Sequence, residues 1–157
     1  MTDLEVKIVR LEPMRVASVQ VTSASPEQDA WDALRSWAEP RGLLNDLEKY
    51  PVFGFNNPSP TTGQKEYGYE FWIRVDADAE PEGGIEIKDF PGGLCAVTSC
   101  KVFNDPQGSV PEVWHRLFAW VQASEYTWRK VHELEKLHDP LAPVEELVLD
   151  LYLPVEG

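Results

Sequence analysis

Two stretches of the sequence alternate apolar and polar residues on either side of a short break. The first, VKIVRLEPMRVASVQV, begins at Val6, and the second, IEIKDFPGGLCAVTSC, begins at Ile85. The breaks contain turn-forming residues, at positions 12–14 in the first stretch and 91–93 in the second. Because a period of two is typical of strands, each stretch predicts an antiparallel hairpin.

A similar helix signature follows each predicted hairpin, WDALRSW in the first half and WHRLFAW in the second. Its large apolar residues recur every third position and therefore share one helical face; they are Trp31, Leu34, Trp37, Trp114, Leu117 and Trp120. This spacing explains the four tryptophans as core residues. Ser25 with Gln28, and Ser109 with Glu112, match the capping box, and each pattern has a proline in the first turn.

A strand ends each half, YGYEFWIRV from Tyr67 and LVLDLYLPV from Leu147. The first half has a further strand candidate, PVFGF, where the second half has YTWRKVHELEKLHDP, which we expect to be irregular or partly helical. The pattern predicts an α+β fold made of duplicated strand–strand–helix–strand units. We expect one domain over residues 1–157, with halves at about 4–78 and 84–157.

Two such units tend to join their sheets about a pseudo-twofold axis, with the helices on one face of an antiparallel sheet. That arrangement leaves a cleft near the axis, and clefts of this kind are common ligand sites. The sequence therefore predicts a small-molecule site in the cleft.

Charge and composition narrow the choice of partners. The net charge is −13 and the basic residues are scattered singly, which disfavours direct nucleic-acid binding and favours a cationic ligand. No stretch approaches the roughly 20 apolar residues that span a membrane, and MTDLEVKIV does not resemble a secretion signal, so we expect a cytoplasmic protein. Cys95 and Cys100 are an odd number of positions apart in a predicted strand, which predicts free buried thiols.

Aromatic and acidic residues alternate onto one face of each final strand. Glu70 and Trp72 share a face in the first half, opposite the apolar face that should pack under the helix, and Asp150 and Tyr152 repeat the pattern in the second half. Rings next to carboxylates are what the recognition of an organic cation requires. Each ring alone is explained slightly better as cover for an edge of the core, and the mirrored pair favours a role in binding.

The three histidines, His115, His132 and His138, lack the spacing of a metal site, and the glycines do not form a phosphate-binding loop. We therefore predict neither a metal nor another cofactor.

Taken in order, these segments resemble the GyrI-like effector-binding domains, which are also found attached to AraC- and MerR-type transcription regulators. The resemblance is carried by VKIVRLEPMRVASV, WDALRSWAEPRGL, the stretch from Tyr67 to Val102, WHRLFAWVQASEY and LDLYLPV. It implies a pseudo-symmetric fold that binds drug-like compounds, often aromatic cations. It further implies a ligand-facing glutamate at Glu135, or at Glu133 if the alignment shifts by two residues, and a pocket tyrosine at Tyr69.

No segment that could read DNA precedes the first predicted strand, so we expect a free-standing domain. A binding module without turnover is the favoured function. One alternative is a hydrolase of electrophilic or cyclopropane-containing small molecules, in which Glu135 activates water and Tyr69 assists the leaving group. A second alternative is a protein-interaction module that acts through its acidic surface, as the gyrase-inhibitor name suggests. A homodimer through exposed strand edges is also left open.

Overall fold

The computed structural model describes residues 4–57, 63, 65–80, 83–103, 105, 108–131 and 133–157; His132 lies outside these ranges. The strands are β1 (Lys7–Leu11), β2 (Met14–Ser23), β3 (Val52–Asn56), β4 (Tyr67–Val75), β5 (Glu86–Phe90), β6 (Gly93–Lys101), β7 (Thr127–Trp128), β8 (Leu134–Leu137) and β9 (Val148–Glu156). The helices are α1 (Pro26–Ala38) and α2 (Val110–Gln122), with short 3-10 helices at Glu39–Arg41, Leu43–Asn45 and Val144–Glu146. These elements confirm the predicted α+β class.

The chain divides into two compact units. The continuous unit is Pro13–Pro91, and the composite unit combines Met1–Glu12 with Gly92–Gly157. Strands pair antiparallel in the order β3-β4-β2-β5 in the continuous unit. In the composite unit the order is β1-β6-β9-β8, and β7 also pairs with β9. Each unit therefore repeats an antiparallel sheet with one helix, although the first strand of the chain belongs to the unit that contains the C-terminus.

The two predicted hairpins do not form. Instead β1 pairs with β6, and β2 pairs with β5. The linkers give the physical reason: only two residues, Glu12 and Pro13, separate β1 from β2, and only Pro91 and Gly92 separate β5 from β6. A two-residue hairpin needs positive φ at its first linker residue, which proline cannot adopt and glutamate disfavours. The same residues that predict a turn therefore exclude the tight hairpin.

The helices follow their predicted positions, and one of the two predicted caps forms. The Ser109 hydroxyl accepts a hydrogen bond from the backbone N–H of Glu112, whose side chain accepts from Ser109 in return, so this capping box is present. The predicted cap at Ser25 is wrong. Its side chain makes no capping bond, and its backbone N–H instead donates to the hydroxyl of Ser23.

Each helix packs its apolar stripe against the sheet of its own unit. In the continuous unit Leu34 is fully buried, and the ring of Trp31 lies 5.7 Å from that of Phe71 on β4. In the composite unit the buried residues of α2, β6 and β9 form one cluster, which consists of Ala96, Cys100, Val113, Leu117, Val121, Leu149, Leu151, Leu153 and Val155. The leucines of the predicted stripes are therefore core, whereas the four tryptophans, Trp31, Trp37, Trp114 and Trp120, are only partly buried.

The segment expected to be irregular or partly helical contains β7 and β8 instead. Leu134 pairs with Tyr152 and Leu137 with Leu149, so this segment adds strands next to β9. The helical expectation failed because Leu134 and Leu137 are three positions apart, a spacing typical of a helix, so this four-residue strand shows no apolar alternation. Within the ranges that the structure describes, no helix is long and apolar enough to cross a membrane.

Candidate functional site

Five of the six predicted site residues divide between the two faces of their sheets, and the sixth, Glu133, directly precedes β8. Within the continuous unit, Tyr69 and Phe71 lie on the face that α1 covers, because Phe71 contacts Trp31 of that helix. Glu70 and Trp72 alternate with them and lie on the opposite face. The predicted pairing of Glu70 with Trp72 is therefore present, and Tyr69 lies away from both.

The composite unit repeats this division. Glu135 is opposite Leu151, a member of the cluster that packs against α2, so its side chain lies on the helix-covered face. Tyr152 is opposite Leu134 and lies on the other face. Glu135 and Tyr69 thus lie on the helix-covered faces of different units, and Tyr152 occupies the face equivalent to that of Trp72.

Glu70 is the most deeply buried acid among the described residues, at 1% exposure. Its Oε2 accepts hydrogen bonds from Ser18 Oγ at 2.7 Å, Trp72 Nε1 at 2.6 Å and Lys88 Nζ at 2.8 Å. Its Oε1 accepts from Asn57 Nδ2 at 2.9 Å. A buried carboxylate is tolerated only when its oxygens are satisfied in this way.

These donors decide the charge of Glu70. Burial by itself raises the pKa of the carboxyl, but the hydrogen bonds from Lys88, Ser18, Asn57 and Trp72 together outweigh burial and lower the pKa. Glu70 is therefore held ionised at neutral pH. It can anchor a positive charge, and it is poorly suited to donate a proton.

Three aromatic rings lie on the same face of the sheet as Glu70. The ring of Trp72 lies 5.0 Å from that of Phe55 in an edge-on arrangement and 5.3 Å from that of Phe90. Together with the carboxylate they make this face of the sheet aromatic and acidic, although Phe55 and Trp72 are each only 4% exposed.

Tyr69 is fixed by a glycine on the neighbouring strand. A Cβ atom built on Gly54 would lie 2.5 Å from both Cε1 and Oη of Tyr69, so the phenol occupies the space that Gly54 leaves open. The ring also lies 4.9 Å from that of Phe71, and the residue is 6% exposed. This packing explains a tyrosine at this position and leaves its role toward a ligand as a prediction.

Glu135 is half-buried, and its Oε2 accepts a hydrogen bond from Trp114 Nε1 of α2 at 3.1 Å. Its charge acts on the neighbouring acids. Partial burial and then the charge of Glu135 raise the pKa of Glu133. Burial, followed by the charges of Asp105 and Glu135, raises the pKa of the Cys100 thiol to about 11. The charge of Glu135 thus adds to burial, which is the larger cause, in disfavouring ionisation of these two groups.

Polar residues also gather beside Tyr152. Asp150 Oδ1 accepts a hydrogen bond from Ser99 Oγ at 2.6 Å and lies 2.7 Å from His138 Nε2. A cavity of about 280 Å³ has Lys7, Ser99, Asp150 and Tyr152 among its lining residues. Because the aspartate lies between the serine and the histidine, the histidine does not contact the serine hydroxyl and cannot act as its base in this arrangement. The described residues contain no group of three His, Cys, Asp or Glu that could hold a metal ion.

Sequence reasoning missed the donors around Glu70, namely Ser18, Asn57 and Lys88. One signal was present in the sequence. Ser18 interrupts the apolar run of β2 on the face of the sheet that also carries Glu70 and Trp72. Lys88 offered no such signal, because a lysine in an alternating strand reads as an exposed residue.

Residues 4–156 match the family described as the GyrI-like small-molecule binding domain. The class that this fold defines is therefore a small-molecule binding domain, and the chain belongs to the GyrI-like family. The resemblance inferred from the sequence segments is thereby confirmed. No curated protein matches the sequence significantly.

Solved structures of low sequence identity share the fold. The C-terminal domain of EcmrR is 17% identical, with a TM-score of 0.67 and coverage of 98% of each chain. A hydrolase from Listeria innocua is 12% identical, with a TM-score of 0.67 and coverage of 98% of this chain and 93% of that chain. SAV2435 bound to tetraphenylphosphonium is 16% identical, with a TM-score of 0.52 and coverage of 98% and 95%.

Proposed function

We propose that this domain binds aromatic organic cations and that Glu135 is the acidic anchor of the ligand. Membership of a small-molecule binding family supports the general function. The observation that carries the finer proposal is the half-buried carboxylate of Glu135 beside the indole of Trp114, whose Nε1 donates to Oε2 at 3.1 Å. The charge of Glu135, acting in addition to burial, disfavours a second negative charge nearby and would favour a positive one.

The neighbourhood of Glu135 suits an aromatic cation better than a small hydrated ion. The indole of Trp114 is half-buried and holds the carboxylate through its N–H group, so an apolar ring and a charge lie side by side. The flat face of an indole attracts cations, and its area favours an apolar ligand body. Glu133, two residues away, adds a second acid whose ionisation a bound cation would favour.

Two probes of matched shape and opposite charge test the proposal. Tetraphenylphosphonium is the ligand of a protein with the same fold, and tetraphenylborate has four phenyl groups around a negative centre. The six tryptophans allow binding to be followed by fluorescence quenching, and calorimetry gives the dissociation constants. We expect saturable binding of the phosphonium and much weaker binding of the borate.

Glu135→Gln then isolates the anchor, because it keeps the shape of the side chain and removes its charge. We expect the affinity for tetraphenylphosphonium to fall by about 10-fold to 100-fold, which corresponds to roughly 1.4 to 2.8 kcal/mol. Glu125→Gln is the matched control, since Glu125 is exposed in the same unit and the overall charge change is identical. Equal effects of the two substitutions, or equal affinity for the two probes, would contradict the proposal.

A further inference from the structure

The Glu70 network contains one donor that differs from the others. Ser18 and Trp72 are uncharged and buried, at 3% and 4% exposure. Asn57 is exposed and also uncharged. Lys88 alone among these four donors is positively charged, and its side chain is 39% exposed while that of Glu70 is 1% exposed. The positive charge that balances Glu70 is therefore delivered by a flexible side chain from the solvent side.

The path of Lys88 is unusual for a neighbour on a sheet. Lys88 is on β5, opposite Val16 of β2, whereas Glu70 is on β4, opposite Gln20. The lysine side chain must therefore extend across β2 and along it to place its ammonium 2.8 Å from Oε2 of Glu70. The ammonium also has an acid within reach on its own strand, since Oε2 of Glu86 lies 3.9 Å from Nζ of Lys88.

The acceptor of the Lys88 ammonium lies on an aromatic face of the sheet. Glu70 Oε2 accepts the N–H bond, and the rings of Phe55, Trp72 and Phe90 form a continuous row on the face that carries Glu70. We propose that Glu70 and this aromatic row form a recognition site for primary amines, and that Lys88 occupies the site as a tethered competitor. Glu70 and Glu135 belong to different units, and Glu70 lies on the face of its own sheet opposite α1.

When an external amine displaces the ammonium of Lys88, the hydrogen bonding of the site is kept. The incoming ammonium replaces one charge-assisted N–H bond to Oε2 with an equivalent one. The displaced lysine regains rotamer freedom and enters water, with which it is already in contact. A ligand without N–H groups, such as a quaternary ammonium or phosphonium ion, lacks the donor that this geometry requires. The tether gives Lys88 an effective concentration on the order of millimolar, so removing its charge should strengthen binding of an external amine.

Lys88→Met tests the competition, because methionine retains an unbranched apolar chain and cannot occupy the cation position. The probes are n-butylammonium and its neutral counterpart n-butanol, at constant ionic strength, with thermal unfolding and tryptophan fluorescence as readouts. We expect n-butylammonium to stabilise Lys88→Met with at least tenfold higher apparent affinity than wild type, and n-butanol to act on both proteins equally. The double variant Lys88→Met, Glu70→Gln should lose the response to n-butylammonium.

Two further measurements separate this inference from other outcomes. Adding Glu135→Gln to Lys88→Met should leave the n-butylammonium response unchanged, so failure of the anchor proposed at Glu135 would not affect it. In wild-type protein with ¹⁵N-labelled lysine, high n-butylammonium should shift the Lys88 ammonium signal toward that of a solvated lysine, which provides a test if Lys88→Met does not fold. An unchanged Lys88 signal, or equal responses of the single and double variants, would overturn the proposal.

Discussion

Replacing Gly54 by alanine inserts a methyl group where the phenol of Tyr69 lies. The new Cβ would be 2.5 Å from Cε1 and Oη of the ring and 2.8 Å from Cζ. Carbon atoms pack at about 3.5–4.0 Å, so the ring must retreat by about 1 Å. Tyr69 is 6% exposed and also contacts Phe71, so the retreat disturbs its neighbours.

The expected cost is the difference between two opposing effects. Overpacking a filled site typically costs about 1–3 kcal/mol. The replacement by alanine also stabilises the folded state by about 0.5–1 kcal/mol, because glycine in a strand loses more backbone entropy on folding. We therefore expect Gly54→Ala to lower the free energy of unfolding by about 1 kcal/mol, within a range of about 0–2.5 kcal/mol, although alanine is the better residue for a strand.

A double-mutant cycle with Tyr69→Leu identifies the cause. In the Tyr69→Leu background the ring is absent, so Gly54→Ala should be neutral or slightly stabilising in urea unfolding followed by tryptophan fluorescence. Tyr50→Leu serves as the control, since the Tyr50 hydroxyl bonds to Asp76 and its effect should add to that of Gly54→Ala. The reasoning is refuted if Gly54→Ala costs the same with tyrosine or leucine at position 69.

Two further predictions concern titration. The hydrogen bond to Glu27 raises the pKa of Tyr67 to about 12, and burial followed by the charge of Asp150 raises the pKa of Tyr152 to about 12. In an ultraviolet titration of the folded protein, Tyr67→Phe and Tyr152→Phe should each remove one late phenol, and simultaneous titration of all five tyrosines near pH 10 would contradict this. Folding lowers the pKa of Glu70. The ionised carboxylate therefore stabilises the folded protein at pH values above the unfolded-state pKa of about 4.3. This stabilisation is lost as the pH falls through the pKa of Glu70 in the folded protein. The stability difference between wild type and Glu70→Gln should therefore shrink between pH 7 and pH 3 in urea unfolding, and a constant difference would show that Glu70 is not the titrating group.

Local patterns were sufficient to place most elements. Three-residue spacing placed Leu34 and Leu117 on the buried faces of their helices, and alternation placed Glu70 and Trp72 together on one face. These inferences depend only on the geometry of one helix or one strand. The family could also be inferred, because the order of the segments along the chain is itself a property of the sequence.

Partnerships between distant segments could not be predicted in the same way. Alternation in β1 and β2 shows that both are strands, but it does not choose β6 and β5 as their partners. The bond from Lys88 to Glu70 joins residues on strands that are not adjacent, so no pairing rule indicates it. The capping box at Ser25 lacks the bond from its own backbone N–H to Gln28, because Ser23 Oγ accepts that N–H group and the Gln28 side chain bonds to Asp32 instead.

The pairing of β1 with β6 has a consequence for synthesis on the ribosome. Lys7 pairs with Val97, so the first strand leaves the ribosome long before its partner exists, whereas residues 13–91 contain the partners of β2, β3, β4 and β5. The continuous unit can begin to fold during translation while the nascent N-terminal strand waits with open hydrogen-bonding edges.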